Sequence, residues 1–307
     1  MSCQIKIKSI LKSYNRREFH LKAIPLHTKG WQQPVKPGEN GGSKTVKNGG
    51  KISKKISGKD YEMTGIDNVT ELPHIASPNI DEILQEFLRH QEARLSPSTL
   101  QRYKRIIEYF AVCMNEYGHL YLSRAELCLF ERLNQAQNVP SMEYCQIFGP
   151  EKIPENVPEF LGYFLIRKIR CGKHSSRLAG IVVKKLGGWL AGKGYVQAAD
   201  GEEMARIGAE AARLLPEAHE LTERLYIYAS THAPQNWIDE IEDFFVINRV
   251  ENGKLFLSGI NTGGETICVP VPQEISMKLK KGWQVSLLLG QTTRGWHIIE
   301  VGDVFPL

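Results

Sequence analysis

A chain of 307 residues, 42% hydrophobic and 24% charged, has the length and composition of an ordinary globular protein with room for one large or two small cores. No apolar run reaches the roughly 18 residues of a membrane span, and the opening residues hold no apolar stretch of the signal-peptide kind, so a cytoplasmic protein without membrane partners is the expectation. The formal net charge of +5 conceals an asymmetry: residues 1–60 carry 14 Lys or Arg against three acids, whereas residues 61–307 carry 25 against 31.

Residues 1–76 are rich in Gly, Lys, Ser and Asn and have few periodic apolar positions, as in the stretch 40–59. Such composition buries too little apolar surface to offset chain ordering, and it reads as a disordered basic tail. Three roles stay open for it: counterion-releasing contacts to a polyanion, a solvated extension without a role, or a targeting peptide. Asn68-Val69-Thr70 matches a glycosylation sequon, read as chance in the absence of an export signal.

From Asn79 the pattern turns helical. Ile80, Ile83, Leu84, Phe87 and Leu88 fall on one helix face, and Ser96 with Pro97 marks the start of a second helix. In that helix Leu100, Tyr103, Ile106, Ile107 and Phe110 form the apolar stripe and leave Arg102, Lys104 and Arg105 on other faces. A helix follows from Ser123 to about Asn134, and Pro-rich punctuation at 149–158 precedes another at 158–170. Ser175 or Ser176 then opens a helix running to Ala191, stopped by Gly192 and Gly194. Residues 201–233 read as an Ala- and Glu-rich connecting helix; Leu214, Leu221, Leu225 and Tyr228 stand near heptad spacing, but Pro216 interrupts the two heptads, so a connecting helix is expected ahead of a coiled-coil dimer.

Beyond Pro234 the period becomes strand-like. Segments near 243–250, 253–260, 265–271, 283–289 and 295–301 are separated by turn signals such as Asn252-Gly253, with one helical turn within 272–279. Five short strands in residues 234–307 predict a small antiparallel β-barrel, SH3-like or OB-like, serving as an interaction domain. The fold class expected is thus α+β and multidomain, with a body at 77–200 and a barrel able to fold alone from about Pro234. Residues 201–307 hold 9 basic against 15 acidic residues, which argues against a broad nucleic-acid surface on the barrel.

Two quoted stretches, NIDEILQEFLRHQEARLSPSTLQRYKRIIEYF at 79–110 and VPEFLGYFLIRKIRCGKHSSRLAGIVVKKLGGWLAGKGYV at 157–196, carry a resemblance. Together they resemble the helical, SAM-like core-binding domain of tyrosine recombinases and phage-type integrases, across residues 77–200. Ser96-Pro97-Ser98-Thr99-Leu100 followed by Tyr103 matches the start of the family's second helix, and 176–196 matches its last helix and exit; the segment 118–156 exceeds the family's usual connection. The resemblance implies binding of double-stranded DNA, in DNA recombination or integration, through Thr99, Arg102, Lys104, Arg105, Lys173, His174, Ser175, Ser176 and Arg177, with Lys184 and Lys185 as weaker candidates. Hydroxyls, cations and helix N-terminal amides are phosphate ligands, which agrees; a charge run is equally a solvated helix face.

Catalytic chemistry finds little support in the residues. His174-Ser175-Ser176-Arg177 has a His-x-x-Arg spacing and Tyr195 lies downstream, but the catalytic domain of the family is absent. No P-loop, Gly-x-Ser-x-Gly or His-Glu-x-x-His motif occurs. The cysteines at 3, 113, 128, 145, 171 and 268 never take zinc spacing, and the acidic run Asp239–Asp243 reads as a solvated turn, so no metal or cofactor is expected. The expectation is a non-catalytic, DNA-binding accessory factor with a protein partner at its barrel; the competing reading is a protein-interaction scaffold that does not touch DNA.

Overall fold

The computed structural model describes residues 74–135 and 141–306. Nearly all of the basic segment expected as a tail, with its sequon, lies outside the described residues. The chain enters helix α1, Ile80–Glu92, through a reciprocal cap: the Glu82 N–H donates to the Asn79 side chain and the Asn79 N–H donates to the Glu82 carboxylate, both at 3.0 Å. Its stripe Ile80, Ile83, Leu84, Phe87 and Leu88 is buried. Helix α2, Pro97–Tyr117, starts at Ser96, whose Oγ accepts the Thr99 N–H at 3.4 Å, and helix α3 spans Arg124–Gln135.

Within 118–156, the segment longer than the family's usual connection, described residues 144–153 are integral to the helical core. Tyr144 and Ile147 of the one-turn helix α4, Tyr144–Ile147, are fully buried together with Ile153, and Phe148 nearly so. Tyr144 packs over Gly118 so closely that a Cβ there would lie 2.7 Å from the ring. Asn115 on α2 ties the segment down by accepting the Cys145 N–H at 2.9 Å.

The helix expected at 158–170 is a single α turn, α5 (Val157–Glu159), that continues as a π-helix over Phe160–Ile169. It ends at Arg170, left-handed with φ 53°, the only non-glycine residue with positive φ among the described residues. Helix α6, Lys173–Lys193, begins two to three residues earlier than the serine signals suggest, with Gly172 as its cap. Gly194 at φ 75° closes it, and the Tyr195 N–H donates back to the Leu190 carbonyl at 2.9 Å.

Helix α7 is one element of 35 residues, Ala198–His232, about 50 Å long, and it runs through Pro216 without interruption. It lies antiparallel to α6, glycine against glycine: a Cβ on Gly180 would fall 2.5 Å from the Gly208 carbonyl, and one on Gly187 would fall 2.8 Å from the Gly201 carbonyl. Met204, Ala211 and Leu215 of α7 face the helical core; Leu214, Ala218, Leu221, Leu225 and Ala229 face the sheet. The expected connector is therefore a wall shared by both cores.

The C-terminal half is a curled, antiparallel sheet of β1 (Asp239–Glu251), β2 (Lys254–Gly259), β3 (Ile267–Pro270), β4 (Gln284–Thr292) and β5 (Gly295–Phe305) in the order β3-β2-β1-β4-β5. A single turn, α8 (Gln273–Ser276), separates β3 from β4. Glu251 pairs with Lys254, so Asn252-Gly253 is a two-residue hairpin turn with Gly253 at φ 76°. Phe245, Leu257, Val285 and Leu289 point into the curl and meet α7.

The acidic run expected as a solvated turn instead begins the central strand, and Asp243 is 5% exposed. Its carboxylate accepts from the N–H of Phe244, from the N–H and Nδ2 of Asn261 and from the N–H and Oγ1 of Thr262, at 2.7–3.0 Å. Strand pairing displaced the turn reading because β1 starts four residues earlier than its apolar alternation. Across the junction Arg167 reaches Asp303 at 3.2 Å, Tyr163 stacks on Phe305, and the Val304 N–H donates to Thr222 Oγ1 at 3.1 Å.

Candidate nucleic-acid interface

On α2 the inward positions Leu100, Tyr103, Ile106 and Ile107 fix what the remaining faces present. Arg102 and Arg105, one turn apart, are exposed, and Lys104 is half-buried. The Thr99 hydroxyl accepts from Ser96 Oγ at 2.9 Å, which leaves its own proton free to donate. From α6, Lys185 extends its ammonium over the Tyr103 ring, 5.5 Å from the centroid, so the weaker candidate is the one brought to the basic helix.

The α6 N-terminal group is placed elsewhere. Lys173 and Lys185 are 12 residues apart on one helix, about 18 Å along its axis. His174, Ser175 and Arg177 are exposed there. Lys173 faces Glu220 and Glu223 of α7 at 3.6 and 3.9 Å, so part of its charge is already answered. Ser176 is withdrawn altogether: it is 6% exposed and its hydroxyl faces the Cys171 and Gly172 carbonyls, each at 3.2 Å. This back-bonding follows from the early helix start, which puts Ser176 a full turn inside rather than at the cap. The nine implied residues thus form two groups with Ser176 outside both, and Lys184 and Lys185 stand between them.

His174, Arg177 and Tyr195 do not converge on one point. Tyr195 sits past the other end of α6, about 30 Å from His174, and donates its hydroxyl to Glu86 at 2.7 Å. That hydrogen bond raises the phenol's pKa and lowers that of the carboxyl. Lys193 adds an ion pair to the same carboxylate at 3.1 Å, so the tyrosine is engaged in closing α1 against the end of α6.

A concavity of about 390 Å³ between α2, α3 and residues 141–144 is lined by Glu116, Glu131 and Glu143, a set that repels phosphate. A second groove, between α6 and α7, is lined by Arg177 and by Arg213, a residue that no sequence signal singled out. Sequence could not find it, because the pairing of α6 with α7 is what brings Arg213 opposite Arg177. The chain matches no family model, no curated protein and no solved structure.

Proposed function

We propose that the chain is a non-catalytic protein that binds double-stranded DNA, resembling in residues 77–200 the core-binding domain of tyrosine recombinases and acting as an accessory or regulatory factor in recombination or integration. The observation that carries this reading is the exposed pair Arg102 and Arg105 on α2, the helix over whose Tyr103 ring Lys185 of α6 extends, with exposed Lys184 next to it in sequence. Neighbouring helices that each offer exposed cations suit a polyanionic duplex, and phosphate contacts of this kind supply sequence-independent affinity. The strongly basic residues 1–60 would add to the salt-sensitive part of that affinity.

The sheet supports a second role, as a protein-interaction module. Its connectivity, with β1 between β2 and β4, a helical turn after β3 and β5 on the outer edge, fits an OB-like half-barrel better than an SH3-like one. Ile238 is 73% exposed next to Trp237, whose Nε1 donates to Glu240 at 2.8 Å, leaving an apolar spot at the start of β1. Among the described residues no helix is long and apolar enough to cross a membrane.

The test is anisotropy of a labelled duplex of mixed sequence titrated with the full chain over a salt series. Arg102→Ala with Arg105→Ala should weaken binding by about tenfold or more and lower the salt slope by about 1.8. A full chain that gives no binding at low salt, while still capturing a protein partner through its sheet, would replace the DNA reading with the scaffold reading.

A further inference from the structure

The open groove between α6 and α7 has a volume of about 450 Å³ and six lining residues: Arg177, Ile181, Ala209, Ala212, Arg213 and Pro216. Its floor is apolar. Its walls each carry one exposed guanidinium, and neither Arg177 nor Arg213 has an ion-pair or hydrogen-bond partner among the described residues. That is unusual on α7, where Arg206 is bound to Glu203 and Glu210 and Arg224 to Glu220.

We propose that this groove is a phosphate clamp for one strand of the DNA backbone, with Arg213 of α7 as its second jaw opposite Arg177. The proposal rests on the DNA-binding reading and deepens it, because Arg213 lies outside the stretch that carries the recombinase resemblance. A sugar–phosphate strand matches both features of the groove: phosphate oxygens accept from planar guanidinium forks, and deoxyribose faces suit a floor of Ile181, Ala209, Ala212 and Pro216. An acidic peptide could also meet the two arginines, and the polyglutamate titration below separates it from a nucleic-acid strand.

The clamp is continuous with the α2 surface. Arg177 and Lys184 are seven residues apart on α6 and so share a stripe, about 10 Å from end to end, or about three nucleotides of a strand. Lys185 follows and meets α2 over Tyr103. The path of an incoming strand therefore runs from the α6–α7 groove along α6 to Arg102 and Arg105.

The experiment compares the full chain with Arg213→Ala, Arg177→Ala, the double variant and Arg294→Ala, an exposed cation on the sheet that controls for net charge. Each protein is titrated into duplex DNA over a salt series, and circular dichroism checks that it is folded. Expected are a three- to tenfold loss of affinity for Arg213→Ala, a salt slope lower by about 0.9, and a double variant whose loss relative to the unmutated chain exceeds that of either single but is less than the product of the two. Arg213→Ala indistinguishable from Arg294→Ala, while Arg102→Ala with Arg105→Ala still weakens binding, overturns the clamp and leaves the DNA reading standing. A full chain that binds polyglutamate but no duplex overturns both.

Discussion

Glu155, half-buried, and Asp243, buried, are carboxylates whose surroundings drive ionisation in opposite directions. Burial is the main influence on Glu155 and pushes its pKa up to about 7, because Lys152 lies 3.7 Å from it and is held closer, at 2.9 Å, by Glu126. The buried Tyr144 hydroxyl lies beside Asn156 and Glu155. A raised carboxyl pKa means that the folded state holds the proton more tightly, so its stabilising share is complete below the ordinary glutamate range and is lost as pH climbs through 7. Urea unfolding should therefore report a stability loss of roughly 1–3 kcal/mol from pH 5 to 8, and Glu155→Gln should flatten that slope. Burial also works against ionisation of Asp243, but the hydrogen bonds from Thr262, Asn261 and Phe244 outweigh it and lower its pKa. Its contribution is present above the ordinary aspartate range and disappears as pH falls through the lowered value; Asp243→Ala should cost about 2–4 kcal/mol and release the Asn261–Thr262 turn to faster amide exchange. Neither carboxylate was distinguishable in the sequence. Glu155 differs from Glu151 only in what packs over it, and Asp243 differs from Glu242 only by the alternation of a strand whose start the apolar pattern concealed.

The helices show what periodicity can and cannot deliver. Stripes at three- and four-residue spacing named the buried faces of α1 and α2 residue by residue, because burial of one face is what such spacing encodes. The π-helical stretch, the true start of α6 and the role of 118–156 were not legible, since they follow from how neighbouring elements fit rather than from local pattern. The same limit hid half of the candidate site: Arg102 and Arg105 stand out on a single helix, whereas Arg213 acquires meaning only once α7 lies against α6. The glycines of that crossing allow a sharp test. Gly180→Ala would set a Cβ 2.4 Å from the Ala212 nitrogen and should destabilise by about 2 kcal/mol or more, as backbone cannot yield as a side chain does. Gly188→Ala meets nothing within 4 Å and should stabilise α6 by up to about 1 kcal/mol, so thermal melting should separate the two variants in sign.

At the scale of the molecule, the division into a helical body and an independent barrel is where reading by composition and period reaches its end. The period does change after α7, and the sheet does form, but its core includes five side chains of α7. A fragment from Pro234 should therefore be unfolded or aggregated by circular dichroism and size-exclusion chromatography, whereas one from residue 74 should unfold in a single cooperative transition. Two separate transitions with unequal denaturant dependence would show that the halves stand apart.

The two-sided burial of α7 also sets a timetable for biosynthesis. The helical body emerges first and can seat Met204, Ala211 and Leu215 as soon as that part of α7 has left the ribosome. The opposite stripe, Leu214, Leu221 and Leu225, has nothing to cover it until the strands have followed, a wait of roughly 4–15 s at ordinary synthesis rates. During that interval the nascent chain presents a greasy, ready-made helix to its surroundings, which makes this stretch the place where a chaperone would first take hold.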